Sequence, residues 1–249
     1  SLKMKLIKIK NKIKYELRKI GLIKFPGKAE ELCLGNGIEV GALCYPAKLP
    51  RAKNIRYADI GNSKETKQQI KDLGYSGYKG KHVKVDIFFM QNEAPLSNEI
   101  SNSENFIYSS HSLEHSANPI AVLVNYLRII KKGGIVYTII PNKTMTYDKK
   151  RPTTKVSKLI GKFENNNWKY SYEEFEEVFK LTEDHEVYKN HTKNDIHEAW
   201  IKNTGLHHIY TYSDKSVMEI IYFLSTNFNC KLAYFESEGK NIHFALKKI

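Results

Sequence analysis

The stretch Asn105–Asn142, NFIYSSHSLEHSANPIAVLVNYLRIIKKGGIVYTIIPN, decides the fold. Phe106-Ile107-Tyr108 is a short apolar run that stops at Ser109-Ser110-His111. Ile120, Val122, Leu123, Leu127 and Ile130 recur at helical spacing. Lys131-Lys132-Gly133-Gly134 is expected to close that helix, since basic residues and glycine mark helix C-termini. Ile135 to Ile140 is a β-branched strand ended by Pro141. Parallel strands joined by a helix cross over right-handedly, and their ligands gather at the carboxyl ends. Chemistry is therefore expected at Ser109, Ser110, His111 and Asn142.

The flanking sequence repeats the alternation. Residues 37–41 read as a strand entering a glycine turn, and 54–59 as a second strand ending on Asp59. Residues 64–73 read as a helix and 83–88 as a third strand. Asp214 to Thr226 reads as a helix, followed by strands at 231–235 and 241–246 around a Glu238-Gly239 turn. Seven strands in this order predict an α/β fold, a doubly wound, mostly parallel sheet with an antiparallel edge. Residues 143–205 break the alternation. They are polar, with helical character at 172–181 and 196–203, and are expected to form a helical cap insertion over the strand ends.

Composition narrows the function classes. The chain has 249 residues, enough for one large domain with a full core. Its three cysteines, Cys33, Cys44 and Cys230, form no CxxC pair, which argues for a reducing compartment and against a disulfide frame. No apolar run approaches the roughly 18 residues of a membrane span. No signal peptide is expected, because no unbroken apolar core follows the basic N-terminus. A cytoplasmic protein is the expectation.

The net charge of +13 is uneven: residues 1–28 carry ten Lys or Arg against one acid, leaving +4 for the remainder. Nucleic acid is thus not the expected partner, since a dedicated binder spreads basic charge over its surface. Leu2, Leu6, Ile9, Ile13, Leu17 and Ile20 make residues 1–28 a basic amphipathic N-terminal helix, with the main domain at 29–249. Two readings of that helix stand: docking on an anionic membrane surface at the inner face, or packing on the domain with a lysine-coated outer side.

Glu39-x-Gly41, with Asp59 twenty residues on, is a nucleoside-binding spacing. The turn lets a ligand approach the backbone, and the second acid accepts ribose hydroxyls. The turn lacks a full GxGxxG, which disfavours a cradled pyrophosphate and hence NAD or FAD. A nucleoside without phosphates fits better.

Taken in order, Glu39-x-Gly41, Asp59, Ser110-His111-Ser112-Leu113-Glu114-His115, Lys131-Lys132-Gly133-Gly134 and Pro141-Asn142 resemble the class I S-adenosylmethionine-dependent methyltransferases. The resemblance covers roughly residues 33–155. It implies a Rossmann-like methyltransferase fold, S-adenosyl-L-methionine as cofactor and S-adenosyl-L-homocysteine as product. It places Glu39, Gly41 and Ala42 at the methionine end, Asp59 at the ribose, Asn92 or Glu93 near adenine, and Ser110 and His111 at the sulfonium. Ala42 and Cys44 stand where further glycines often occur. Residues 144–154 look closer to bacterial methyltransferases of surface polysaccharides or nucleotide sugars, with Tyr147, Arg151 and Asn142 toward the substrate. The implied reaction is O-methylation of a sugar hydroxyl. The competing readings are an RNA or DNA methyltransferase using the basic N-terminal segment, and a non-catalytic nucleoside-binding module.

Methyl transfer to a hydroxyl needs in-line geometry and a base. Candidate bases are His111, Asp148, His185, His191, His197, His207 and His208, with His111, Asp148 and His208 preferred. The cap histidines, with Asp184, Glu186 and Asp195, suit a first-row metal better than Mg²⁺, but their spacing has no ligand rhythm. His111-Ser-Leu-Glu114-His115 also matches HxxEH, a zinc-protease pattern. That pattern needs both histidines on one helix, whereas His111 ends a strand. No metal ligands are assigned, and His115 is expected to be a structural hydrogen-bonder.

Overall fold

The computed structural model describes residues 28–43, 45–59, 83–89, 93–182, 188–202 and 207–249. The segments read as a helix at 64–73 and as a basic helix before Lys28 lie outside them, as do Asn92 and His185. After a helical turn, α1 (Ala29–Leu32), come β1 (Gly35–Val40), β2 (Ala52–Asp59), β3 (Ile87–Phe88), β4 (Glu104–Ser110), α2 (Pro119–Ile129) and β5 (Ile130–Pro141). The insertion supplies α3 (Val156–Glu164), α4 (Tyr172–Leu181) and α5 (Lys193–Lys202). The chain ends with α6 (Asp214–Asn227), β6 (Cys230–Glu238) and β7 (Asn241–Lys248). The strands form one seven-stranded sheet in the order β3-β2-β1-β4-β5-β7-β6. β1 to β5 pair in parallel, and β7 runs antiparallel to both β5 and β6. This is the doubly wound, Rossmann-like sheet with an antiparallel edge expected from the sequence.

Two local expectations are corrected. Lys131–Gly134 does not close α2. Ile130 is already extended, and β5 begins there. Glu104 pairs with Ile130 while Phe106 pairs with Ile135, so the intervening residues form a bulge opposite a single β4 residue. The glycines serve that bulge: Gly133 has φ +79°, and a Cβ on Gly134 would lie 2.8 Å from both the Asn105 and Lys131 carbonyl oxygens. The third strand is also shorter than expected, because only Ile87 and Phe88 pair with β2.

Side chains alternate across the pleat and divide the core. Ile38, Val40, Ile107, Val136 and Ile140 face α2 and α6 in the larger core. Phe106, Tyr108, Ile135, Tyr137 and Ala245 face the other side, in a smaller cluster with Cys33 and Leu49. α2 enters at Asn118, which caps Ala121 N–H with its side chain and is followed by Pro119. The insertion is not a loose excursion. Leu159, Phe175, Val178 and Ile196 are buried in the same core as α2 and α6. Its buried ion pair, Lys162 Nζ to Glu174 Oε1 at 3.2 Å, is completed by the Tyr210 hydroxyl donating to Glu174. The return segment after the insertion carries it to the strand ends: Ile209 and Tyr210 N–H both donate to the Glu114 carbonyl. No described helix is long and apolar enough to cross a membrane.

Candidate active site at the strand ends

The carboxyl ends of β1, β2 and β4 meet around one glycine. Gly41 leaves β1 with φ +80°, and a Cβ there would sit 3.1 Å from the Ser110 carbonyl oxygen. Only glycine lets β1 turn this close to the end of β4. Ala42 follows, buried. Asp59 accepts a hydrogen bond from Leu43 N–H at 3.1 Å, and Glu39 accepts one from Ala47 N–H at 2.8 Å. Both carboxylates are therefore anchors of the loop after β1, exposed by only 1% at Glu39 and 5% at Asp59.

Glu39 has an electrostatic consequence. Burial pushes its carboxyl up to about 7, with the charge of Asp59 adding to the effect and the Ala47 N–H opposing it. Cys33, Tyr57 and Tyr108 are the other titratable groups around it. A carboxyl raised in the folded state binds a proton there that the unfolded chain has lost. Its contribution to stability is full below about pH 4.5 and disappears as pH rises to about 7, a loss of about 3 kcal/mol. Glu39→Gln is expected to gain stability over wild type progressively between pH 5 and 8. Urea unfolding at several pH values measures this, and a constant difference would contradict it.

His111 ends β4 in the left-handed region, at φ +50°. Its N–H donates to the Ile139 carbonyl, and its side chain is 46% exposed. Burial disfavours its protonation, but Glu114 and Asn241 together hold its pKa above the usual value. A non-glycine residue held with positive φ stores about 1–2 kcal/mol of strain, which the surrounding fold must impose.

Behind His111 lies a cluster that the sequence did not assemble. Glu114 is fully buried on the 3₁₀ turn Leu113–His115. Its Oε1 lies 3.4 Å from His111 Nδ1, 3.9 Å from His115 Nε2 and 3.8 Å from His208 Nε2. Burial opposes its ionisation, but these imidazoles outweigh that and keep it a carboxylate. His115 Nδ1 is 2.9 Å from the His207 carbonyl, and His208 Nδ1 is 2.8 Å from Asp148 Oδ2. Burial pushes His115 down to about 4, so it is neutral at pH 7. Tyr147 stacks on His208, with ring centroids 4.8 Å apart.

Several expected site residues have structural duties instead. Arg151 is 1% exposed and its guanidinium is committed to Asp148, Glu177 and the His208 and Ile209 carbonyls, so it has no donor to offer a sugar or phosphate. Asn142 is likewise taken up, donating to Asp214 and Ser237 and capping Thr144. Asp148 orients His208 and pairs with Arg151, rather than facing a substrate. Among the other candidate bases, His191 bonds the Tyr188 carbonyl, His197 sits beside Trp200, and His207 is buried against Tyr188. The sequence reading missed Glu114 as a site residue. The signal was the Glu114-His115 pair itself, but its partner His208 is 93 positions further along the chain.

A cavity of about 500 Å³ opens on the opposite face of the sheet from α2, under the loop after β1. Tyr45, Tyr108 and Tyr137 line it, with Lys28, Lys48, Arg51 and the acids Glu30 and Glu31. It shares Ile139 and Asn241 with the surroundings of His111.

No family model matches the chain, and no curated protein does. Solved structures of similar build include a S-adenosylmethionine-dependent methyltransferase from Clostridium acetobutylicum, at 10% identity and TM-score 0.46 over 96% of this chain and 99% of that one. Another is a putative Zn-dependent alcohol dehydrogenase from Rhodobacter sphaeroides, at 10% identity and TM-score 0.48 over 89% and 87%. The CurJ carbon methyltransferase matches at 13% identity and TM-score 0.43 over 90% of this chain, which spans half the length of that protein. Likeness at this level says nothing of activity, as the mixed chemistry of these neighbours makes plain.

Proposed function

We propose that the protein is a S-adenosylmethionine-dependent methyltransferase acting on a hydroxyl, with a nucleotide-linked sugar as the acceptor class. One observation carries the reading: the glycine turn at Gly41, the Asp59 carboxylate bonded to that turn, and His111 converge at the carboxyl ends of adjacent strands. That is where an open α/β sheet binds its ligand. The motifs Glu39-x-Gly41 and Ser110–His115 supply the cofactor's identity through their resemblance to the methyltransferases. In the proposed reaction the acceptor oxygen bonds the methyl carbon as the sulfur–carbon bond breaks. The bonding pair returns to sulfur, leaving S-adenosylhomocysteine, and the acceptor proton passes to His111.

The acceptor class is taken from the resemblance of residues 144–154. The cavity offers one exposed ring, Tyr45, and the cations Lys28 and Arg51, which suit a phosphate, beside the acids Glu30 and Glu31. Its volume lies within the range of small-molecule sites. Calorimetric titration with S-adenosylhomocysteine tests the cofactor. Wild type is expected to bind, and Asp59→Ala to bind at least about tenfold more weakly, the loss of a charge-assisted hydrogen bond. Absence of binding by wild type would end the reading.

A further inference from the structure

We propose that Glu114, His115 and His208 form a binding site for one first-row divalent metal ion, with Zn²⁺ or Mn²⁺ fitting better than Mg²⁺. One ligand atom from each residue lies within 4.8 Å of the other two. The arrangement has the three marks of a metal site.

The first is an unmet demand. Both Glu114 carboxylate oxygens are buried and lack a hydrogen bond. Its polar neighbours are the His111, His115 and His208 ring nitrogens, 3.4, 3.9 and 3.8 Å from Oε1 and none placed to hydrogen-bond it, so a carboxylate out of water is left under-satisfied. The hydroxyl of Tyr212, buried among the same elements, is also without a hydrogen-bond partner.

The second is the orientation of the imidazoles. His115 Nδ1 faces a carbonyl and His208 Nδ1 faces a carboxylate, so both must carry their proton on Nδ1. Each Nε2 lies on the Glu114 side of its ring, 3.9 and 3.8 Å from Oε1. Ligating histidines are held in this way, with the far nitrogen donating to a carbonyl or carboxylate that fixes the tautomer. Asp148 is itself fixed by Arg151 at 2.9 Å, so the support extends a further layer.

The third is spacing. A tetrahedral ion with bonds of about 2.0–2.1 Å holds its ligands about 3.3 Å apart. The Glu114 Oε1 distances to His115 Nε2 and His208 Nε2, 3.9 and 3.8 Å, need to close by about half an ångström. Two imidazoles and one carboxylate leave a coordination position open, the pattern of catalytic rather than structural zinc. His111 Nδ1 lies 3.4 Å from Glu114 Oε1, on the exposed side of the cluster. These ligands are not the two histidines of an HxxEH helix: two adjoin on a 3₁₀ turn, and the third comes from the segment after the insertion.

The role of the ion rests on the proposed methyltransferase reading; its binding does not. In the open position it would hold the acceptor oxygen and favour release of its proton to His111. The test uses the full chain stripped with a chelator and titrated calorimetrically with Zn²⁺, Mn²⁺ and Mg²⁺. One Zn²⁺ or Mn²⁺ per chain is expected, with Mg²⁺ at least about 100-fold weaker. Glu114→Gln and His208→Gln should each weaken binding at least about 100-fold, and Asp148→Asn by about 10–100-fold. X-ray absorption of zinc-loaded wild type makes the test independent of how the variants fold: two imidazoles are expected in the first shell. No binding of Zn²⁺ or Mn²⁺ by wild type, or a first shell without imidazole, would overturn the proposal. Titration of S-adenosylhomocysteine into the same protein separates failure of the metal site from failure of the methyltransferase reading.

Discussion

Arg151→Met is expected to lower the unfolding free energy by about 3–5 kcal/mol, the cost of stripping one partner from a buried ion pair. Arg151 has no exposed side-chain surface, and Asp148 is almost as buried. The guanidinium spends its donors on Asp148 at 2.9 Å, on Glu177, and on the His208 and Ile209 carbonyls at 2.5 and 2.8 Å. Methionine fills much of the volume but supplies no donor. It leaves a buried carboxylate short of its counter-ion and two carbonyls without hydrogen bonds. Arg151→Lys should recover only part of the loss, since one ammonium cannot span a fork that reaches four groups. Urea denaturation measures both, and a cost below about 1 kcal/mol for Arg151→Met would show that the clamp contributes little. The same clamp sets where His208 points, because Asp148 holds its Nδ1. Destabilisation should therefore be accompanied by weaker Zn²⁺ binding.

His111→Gly should separate stability from chemistry. At φ +50° the histidine is in a conformation that glycine adopts freely. Its side chain is half exposed and its backbone bond to Ile139 remains, but the buried Glu114 loses its nearest imidazole at 3.4 Å. Relief of strain and loss of that contact oppose each other, so the variant is expected to remain folded and melt within about 5 °C of wild type. On the proposed chemistry, loss of the base should slow methyl transfer about 100- to 10,000-fold. The measurement pairs a melting curve with single-turnover transfer to an acceptor that wild type methylates. A rate within a few-fold of wild type would remove His111 from the reacting centre. Residues held with positive φ at a strand end, where a structural role favours glycine, are a recurrent mark of functional strain.

The alternation of apolar runs with polar stops made the sheet legible. Phe106–Tyr108, Ile135–Ile140 and the final pair at 231–246 all became strands, and Asp214–Thr226 became α6 with one more residue. Local patterns of this kind are written in nearest neighbours, so they survive without knowledge of the fold. Lys131–Gly134 misled because basic residues and glycines that end a helix also serve a bulge. Which of the two they serve depended on the strand opposite, at Glu104 and Phe106.

The site divides in the same way. Glu39, Gly41, Asp59 and His111 stand at the ends of strands, and a strand's end can be read from where its apolar run stops. Their approach to one another follows from parallel pairing of β1 with β2 and β4. Arg151, Asn142 and Asp148 carry the right chemistry for a substrate, but their burial and partners are long-range facts, and these turned all three inward. Glu114 and His115 drew notice as neighbours in sequence. Only the tertiary structure brought His208 to them, by anchoring Ile209 and Tyr210 to the Glu114 carbonyl. The sequence by itself determined the order of strands and the residues at their ends, because hydrophobic periodicity is local. Which polar groups were satisfied, and which buried carboxylate was left facing the imidazoles of His115 and His208, was decided by packing between segments some 90 residues apart.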